Sequence, residues 1–294
     1  MTMNWNEFQK RIEEDLFLKK SQNTAKAYIS DLRAFGFTNK PSREAVRAAV
    51  LKWKEGRLTG KTIVRRFAAV RWVLKTYPLE FTTDERFDIL AEMQDVETID
   101  REQVFATRRQ VERLIRHADE RTALCIAMMY YAGLRVSEVA RSKLKDWDIY
   151  GKRPKSRGHA CLYVPVESDI RGTRTTTKNK KEKVLPILPE LLAAYERYMA
   201  VRPVGGTALL IGQRGEIVPR TISSNVRKAC EECGYHDLHD HSFRHGLATM
   251  LAKKGVSSLM IASLMGHKSL SSTQKYVHYD SDDKAKTLFK AMGE

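Results

Sequence analysis

The sequence predicts a mainly α-helical protein with a small antiparallel β-sheet, divided into two domains. Up to Tyr77, apolar residues recur at the spacing of helices, which predicts an N-terminal helical domain. Two apolar stretches further on, ACLYVPV and EKVLPIL, have the length and composition of strands. An acidic, irregular stretch separates the two halves. Placing a linker near residues 95–105 gives a helical domain at residues 1–100 and an α+β domain at residues 101–294.

The N-terminal helices have recognisable first residues. SQNTAKAYISDLRAF offers Ser21 or Asn23 as a cap, and PSREAVRAAVLKW begins with Pro41 and Ser42. A third helix is predicted in TGKTIVRRFAAVRWVLKTY. Its predicted buried residues are Ile63, Phe67, Val70 and Val73. Its cations (Lys61, Arg65, Arg66 and Arg71) lie elsewhere on the helix and either meet phosphate or are solvated. From about Tyr77 to Phe105 the helical regularity is lost.

The second half begins with a helix that Thr107 and Gln110 open as a capping box. A very apolar helix follows and ends at Gly133, and LRVSEVARSKL starts another. The two strands come next. The polar stretch between them, ESDIRGTRTTTKNKK, is predicted to be a long hairpin loop, and the remaining chain is predicted to be helical, including SSTQKYVHY and the tail DDKAKTLFKAMG.

The net charge indicates the class of partner. Lys and Arg number 52 and Asp and Glu number 36, a formal charge of +16 that favours a polyanion, with nucleic acid the first candidate. The longest apolar run, Leu124 to Leu134, is too short to span a membrane, and the first residues do not resemble a signal peptide. Four cysteines in a chain of this length do not form a disulfide framework. We therefore expect a cytoplasmic protein with no membrane partner.

Four short stretches combine residue types that can act on a phosphodiester. They are AGLRVSE with Arg135, the lysine-rich TTTKNKKEKVLPI, HSFRHGLAT with His241 and Arg244, and LMGHKSLSSTQKYVHY with His267 and Tyr276. Taken singly, each has an ordinary structural reading, for example an ion pair between Arg135 and Glu138. Together they offer arginines for the phosphate oxygens, histidines for hydrogen bonds or proton transfer, a lysine acid and a tyrosine nucleophile.

In this order, the stretches resemble the motifs of the tyrosine recombinase (phage integrase) family, of the compact Xer-like or simple integrase type. That family carries A-G-L-R-x-S-E, a lysine in a β-hairpin, H-x-x-R-H, L-G-H, and a tyrosine usually followed by Thr-His. The resemblance is specific from Arg135 to Tyr276 and weaker in the N-terminal part. It implies a helical core-binding domain for DNA at residues 1–100 and a catalytic domain at residues 101–294.

The resemblance assigns a role to each matching residue. Arg135 and Arg244 would grip the scissile phosphate, His241 and His267 take the places of the two motif histidines, and Tyr276 becomes the nucleophile. KNKKEKVLPI aligns with K-G-x-K-E-R-V-P-L and selects Lys178 as the acid, with Lys180 and Lys181 left open because the interval from Arg135 is longer than in compact members. Tyr279 fits the register of the nucleophile less well.

The implied reaction exchanges one phosphodiester for another through a 3′-phosphotyrosyl link. It needs neither ATP nor a cofactor, and no metal, because the arginines supply positive charge. The implied partners are double-stranded DNA and three further copies of the chain on two DNA sites, with a monomer free in solution and accessory proteins undefined. The tail, with Leu288, Phe289 and Met292, would dock on a neighbouring copy or pack on its own domain.

Several alternatives remain open in the sequence. A type IB-like topoisomerase or nicking enzyme would use the same chemistry without two sites, and a DNA-binding protein could keep the fold without the reaction. A recombinase could integrate and excise a mobile element or resolve chromosome dimers. The pair Cys230 and Cys233, near His236, also suggests zinc, although the spacing is far shorter than in zinc fingers.

Overall fold

The computed structural model describes residues 5–37, 40–56, 58–93, 104–170, 173–176 and 182–266, with the side chains of residues 61 and 173–176 excepted. The chain divides into two compact units, Met1–Glu102 and Gln103–Glu294. Each unit has its own apolar core. Within the described residues, no helix is long and apolar enough to cross a membrane.

The N-terminal unit is helical, as predicted, and side-chain caps begin several of its helices. Ser21, Ser42 and Thr59 each accept a hydrogen bond from a backbone N–H of the first turn, which selects Ser21 over Asn23 as the cap. The helices are α1 (Trp5–Lys19), α2 (Gln22–Arg33), α3 (Arg43–Glu55), α4 (Gly60–Thr76) and α5 (Thr83–Ala91).

The core of this unit lies along α4. The four apolar residues predicted to be buried on α4 are all 2% exposed or less. Aromatic side chains fill the space beside them; the ring centroids of Phe8 and Tyr77 lie 5.1 Å apart and those of Phe35 and Trp53 lie 4.6 Å apart, both edge to face.

Helix α5 was not predicted, because its sequence has little helical periodicity. Only Ile89 is buried among its nine residues, so the apolar stripe that marks a helix is absent. A capping box begins the helix instead: Thr82 accepts from the Glu85 N–H at 3.1 Å, and Glu85 accepts from the Thr82 N–H at 2.7 Å. Most of the predicted linker, residues 94–103, lies outside the described residues.

The cations of α4 are partly used inside the unit. Arg65 donates to the buried Asp31 at 2.7 Å, and the Arg66 guanidinium lies 4.4 Å from the centre of the Trp53 ring. Burial raises the pKa of Asp31 although both arginines oppose that shift. Arg65 and Arg66 therefore stabilise the helical unit and also add to its positive charge. The side chain of Lys61 is not among those that the structure describes.

The C-terminal unit packs helices around a central buried helix. Its helices are α6 (Arg108–His117), α7 (Glu120–Tyr131), α8 (Val136–Ala140), α9 (Pro189–Val201), α10 (Pro219–Glu232), α11 (Asp240–Lys253) and α12 (Ser258–Met265). Every residue of α7 from Thr122 to Tyr131 is buried, and α6, α9, α10 and α11 pack around it. The predicted capping box of α6, between Thr107 and Gln110, is present.

The two predicted strands are present and pair antiparallel, and a third strand that was not predicted completes a three-stranded sheet. Strands β1 (Trp147–Asp148), β2 (Cys161–Val164) and β5 (Lys183–Pro186) lie in the order β1-β2-β5, with Val164 opposite Lys183. This register places Lys183 at the start of β5, on the same face of the sheet as the buried Leu185.

The stretch between β2 and β5 contains a second ribbon, so the prediction of a plain loop was wrong. Strands β3 (Glu167–Ile170) and β4 (Thr173–Thr176) pair antiparallel, with Ser168 opposite Thr175. Residues of β3 alternate between exposed and partly exposed, which explains why no apolar pattern marked the strand. The β-branched threonines of β4 favour an extended chain in spite of their polarity.

A further small hairpin was missed between α9 and α10, where the chain was predicted to be helical. Strands β6 (Ile211–Gly212) and β7 (Gly215–Glu216) pair antiparallel, and Gly215 has a φ of +85°. Two-residue strands are too short to give a periodic signal. The two predicted helices after α12 lie in residues 267–294, outside the described residues.

Candidate active site

Arg135 begins α8, directly after the turn that ends α7. Gly133 makes this turn with a φ of +61°, and a Cβ there would lie 2.9 Å from the Met265 sulfur. The backbone N–H of Arg135 donates to Glu138 Oε2 at 2.9 Å, and its Nη1 lies 3.3 Å from Glu138 Oε1. The ion pair suggested by the sequence is therefore present. The Arg135 side chain is 22% exposed, so it is partly accessible to solvent.

Glu138 has a second cationic partner, Lys183 of β5. The Lys183 Nζ lies 2.9 Å from Glu138 Oε2, and the two side chains are 10% and 3% exposed. Burial alone would raise the pKa of Glu138, but Lys183 and the Arg135 backbone and side chain hold it below its ordinary value. Glu138 is therefore a buried carboxylate that connects α8 to the sheet.

Arg244 lies on α11 and is buried, with 6% of the residue exposed. Its Nη1 donates to the carbonyl of Gly133 and its Nη2 to the carbonyl of Met265. The forked guanidinium thus joins the end of α7 to the end of α12, as only arginine can with parallel donors. His267 follows two residues after Met265 in the sequence.

A glycine lets α11 approach the chain that precedes α6. A Cβ on Gly246 would lie 2.1 Å from the Ala106 carbonyl oxygen and 3.1 Å from the Tyr130 ring. The Ala106 N–H donates to the Ser242 carbonyl at 2.9 Å, close to Arg244 in the helix. The close contact places the first turns of α11, with the candidate residues, against α7.

His241 occupies the first turn of α11, one turn before Arg244. Partial desolvation of the imidazole lowers its pKa although the residue reaches solvent; Asp240 opposes the shift, and His239, Arg244 and Arg135 reinforce it. Its backbone N–H donates to Asp240 Oδ1 at 2.9 Å. A lowered pKa favours the neutral imidazole, which can both accept and donate a proton near neutral pH.

The structure brings Arg135, His241 and Arg244 into one electrostatic neighbourhood. Both arginines lower the pKa of His241, and both act on Lys183 in the same direction. Desolvation is the main reason that the pKa of Lys183 falls to about 8, and Glu138 partly offsets it. A region in which cations oppose further protonation is suited to bind an anion such as a phosphodiester.

Other predicted site residues cannot be placed. Lys178, its alternatives Lys180 and Lys181, His267, Tyr276 and its alternative Tyr279 all lie outside the described residues. Their roles stay predictions from the sequence.

The sequence reasoning missed the role of Lys183, which it counted only as one lysine in a basic turn. The available signal was the position of Lys183 two residues before Leu185, which puts both on one face of a strand. A lysine on the buried face of a strand needs a carboxylate partner.

The zinc alternative gains no support from the described part of the chain. Cys230 and Cys233 are both buried in the apolar core, and burial raises the pKa of Cys230 to about 12, which disfavours a thiolate. Within the same part of the chain, no group of three or more His, Cys, Asp or Glu residues is arranged to hold a metal ion.

The model of the phage integrase family matches residues 105–282, well over half of the chain. This chain belongs to the phage integrase family. A tyrosine recombinase of Pseudothermotoga lettingae is 28% identical over 188 residues, which cover 63% of this chain and 59% of that protein. The XerC recombinase of Herpetosiphon aurantiacus is 28% identical over 286 residues, covering 88% of this chain and 86% of that protein.

A solved structure supports the fold of this family member over its whole length. The integrase of transposon Tn1549, in complex with transposon right end DNA, matches with a TM-score of 0.72 at 17% identity, covering all of both chains. The matched part of the Pseudothermotoga protein is about three fifths of its length. The fold is therefore that of the integrases, with a mainly helical chain and a small antiparallel sheet.

Proposed function

We propose that this chain is a site-specific DNA recombinase that cleaves and rejoins double-stranded DNA through a 3′-phosphotyrosyl intermediate. The observation that carries the proposal is the convergence of Arg135 and Arg244, which come from distant parts of the sequence, with His241 beside them. Family membership and the recombinase names of the relatives support the same reaction.

Arg135, Arg244 and His241 are the described residues that we place at the scissile phosphate. The Arg135 guanidinium contacts a non-bridging oxygen, where negative charge grows in the pentacoordinate transition state. Arg244 adds positive charge and fixes the backbone on both sides of the site through its two carbonyl contacts. His241, with its lowered pKa, donates a hydrogen bond or exchanges a proton with the phosphate oxygens.

The covalent step uses residues assigned by the sequence motifs. The Tyr276 hydroxyl gives its proton to a motif histidine, His241 or His267, and attacks phosphorus. The P–O5′ bond breaks, and Lys178 gives a proton to the departing 5′ oxygen. The 5′-hydroxyl of a partner strand then attacks the phosphotyrosine and releases Tyr276. The number of phosphodiester bonds is unchanged, so the exchange requires no ATP.

The assembly follows from the strand exchange. The helical unit and the catalytic unit both bind duplex DNA, and four copies act on two DNA sites, with the C-terminal tail docked between copies. The proposed location is the cytoplasm. The biological outcome is integration and excision of a mobile element or resolution of chromosome dimers, according to the arrangement of the two sites.

A two-site plasmid assay tests the proposed function. The plasmid carries two copies of the flanking repeat of the chain's own genetic element, and a matched plasmid carries one copy. Recombinant circles from the two-site plasmid alone are expected. Relaxation of both plasmids without recombinants would instead identify a topoisomerase, and tight binding without any strand breakage would identify a DNA-binding protein that lacks the reaction.

A further inference from the structure

Lys183 is a buried cation to which the proposed reaction gives no role. It lies on strand β5, its side chain is only 10% exposed, and among the described residues it forms an ion pair with Glu138. A buried lysine carries a large desolvation penalty, and an ion pair of this kind stabilises a fold little more than an apolar pair would. The arrangement is better explained by what the pair orients.

The carboxylate of Glu138 contacts both elements that meet at the site, α8 and strand β5. Oε2 accepts from both the Lys183 Nζ and the Arg135 backbone N–H, each at 2.9 Å, while Oε1 lies 3.3 Å from Arg135 Nη1. Lys183 thus limits how the carboxylate can turn, and the carboxylate limits both the backbone and the guanidinium of Arg135. The chain of contacts runs from β5 through Glu138 to the phosphate-binding arginine.

Lys183 also belongs to the strand that follows the predicted acid. Lys178 lies five residues before it in the sequence, and the pairing of β5 with β2 fixes the start of β5 opposite Val164. The ion pair at this end of the strand ties the start of β5 to the segment that bears Arg135. In the proposed reaction Arg135 binds the phosphate and Lys178 protonates its leaving group, so the spacing of these two groups matters.

We infer that Lys183 is a positioning residue of the recombinase site. It orients Arg135 through Glu138 and fixes the start of β5, the strand that follows Lys178 in the sequence. This role rests on the proposed function. It differs from the role of an acid, because the Lys183 Nζ donates a hydrogen bond to Glu138 and its side chain is nearly inaccessible to solvent. The charged groups that act on Lys183 are Glu138 and Arg135 of α8 and Arg244 of α11.

Two modified DNA substrates distinguish a positioning residue from an acid. A bridging sulfur at the 5′ position leaves as a thiolate, since thiols ionise near pH ~8.5, and so bypasses the need for an acid. A methylphosphonate at the scissile position removes one phosphate charge and so reduces the need for Arg135. The readout is the rate of covalent protein–DNA adduct formation on each substrate and on unmodified DNA.

Lys183→Met is expected to slow cleavage of unmodified DNA by about 10- to 100-fold, as when an orienting partner of an active-site group is removed. The sulfur substrate should restore the cleavage rate of Lys178→Ala, whereas Lys183→Met should stay slow on it. The methylphosphonate should reduce the difference in cleavage rate between Lys183→Met and wild type, and the same is expected for Arg135→Ala. Lys183→Arg, which keeps the charge, should recover part of the rate.

A control separates these effects from loss of the fold. Lys228→Met removes a lysine of an exposed Lys–Glu pair on α10 and should cleave normally. In Lys183→Met the buried Glu138 loses one of its two cationic partners, which is expected to reduce stability, and the double variant Lys183→Met/Glu138→Gln removes the charge of Glu138. Recovery of thermal stability without recovery of cleavage supports the positioning role; recovery of both would overturn it.

Two further results would overturn the inference. If Lys183→Met cleaves DNA at the wild-type rate, the ion pair does not orient a group that cleavage needs. If the sulfur substrate restores the cleavage rate of Lys183→Met, Lys183 is itself the acid. Failure of wild type to form any adduct is a separate outcome, since it contradicts the proposed function and not the positioning role alone.

Discussion

Arg244 donates a hydrogen bond to the carbonyl of Gly133, although 111 residues separate the two in sequence. Gly133 lies in the turn between α7 and α8, and Arg135, two residues later, is the N-cap residue of α8. The contact therefore fixes the position of one candidate phosphate-binding arginine relative to the other. The geometry of the site therefore depends on this hydrogen bond.

Replacing Arg135 should damage cleavage far more than folding. We expect Arg135→Ala to reduce the cleavage rate about 100- to 1,000-fold, the usual loss when one donor to a developing negative charge is removed. Arg135→Lys should recover only part of the rate, because lysine lacks the forked donors. The measurement is single-turnover cleavage together with thermal unfolding.

The matched control for this prediction is Arg197→Ala. Arg197 is an exposed arginine of α9 that lies 3.6 Å from Glu120, so its loss removes a charge of the same kind from the surface of the same unit. Near-normal cleavage by Arg135→Ala, or an equal loss in Arg197→Ala, would contradict the assignment of Arg135 to the phosphate.

A methyl group on Gly246 should move α11. Its Cβ would lie 2.1 Å from the Ala106 carbonyl oxygen, a contact that only a backbone shift can relieve. Gly246→Ala is expected to lower the free energy of unfolding by about 1–3 kcal/mol and to slow cleavage, because Arg244 lies two residues earlier. Gly212→Ala, whose nearest contact would be an ordinary 3.6 Å, serves as the control in urea unfolding. Equal stability of the two variants would refute the close approach.

The burial of Lys183 predicts a pH dependence of stability. Its pKa is about 8 in the folded chain and 10.5 ordinarily, so between these values the unfolded chain binds more protons. The free energy of unfolding of wild type, relative to Lys183→Met, should therefore rise as pH increases from about 8 to 10.5. Denaturant unfolding of both proteins at several pH values measures this difference. A constant or falling difference would show that Lys183 is not desolvated.

DNA binding should weaken steeply as salt increases. The formal charge of +16 and the proposed phosphate site imply that binding releases counterions from the DNA. The logarithm of the association constant is expected to fall linearly with the logarithm of salt concentration, and fluorescence anisotropy on a duplex measures the slope. A flat response would argue against extensive phosphate contacts by the two units.

The sequence predicted best where one pattern determined the local structure. The apolar stripe of α4 and the capping box of α6 depend on neighbouring residues alone, so both were read correctly. Helix α5 and the β3–β4 ribbon were missed because their surfaces are mostly exposed and give no apolar period. The local signals that remain are the capping box of α5 and the β-branched threonines of β4, and neither is an apolar period.

In the candidate site, too, the sequence predicted contacts within one motif and missed contacts between distant residues. Motif order selected Arg135, His241 and Arg244 as candidates, and the ion pair of Arg135 with Glu138, which the structure contains, follows from their spacing in one turn. The contacts of Arg244 with Gly133 and Met265, and of Lys183 with Glu138, join residues far apart in sequence. Such contacts require the positions of helices and strands, which spacing within a motif does not provide.

The most direct test of the central claim is covalent capture of the cleaved DNA. Wild type is incubated with a duplex nicked near the presumed crossover, so that the freed 5′ fragment is lost, and the adduct is located by peptide mass. We predict a denaturation-resistant adduct on Tyr276, formed in the presence of EDTA, absent in Tyr276→Phe and retained in Tyr279→Phe, with DNA binding intact in both. An adduct that survives in Tyr276→Phe, or none in wild type on DNA that it binds tightly, would contradict the account.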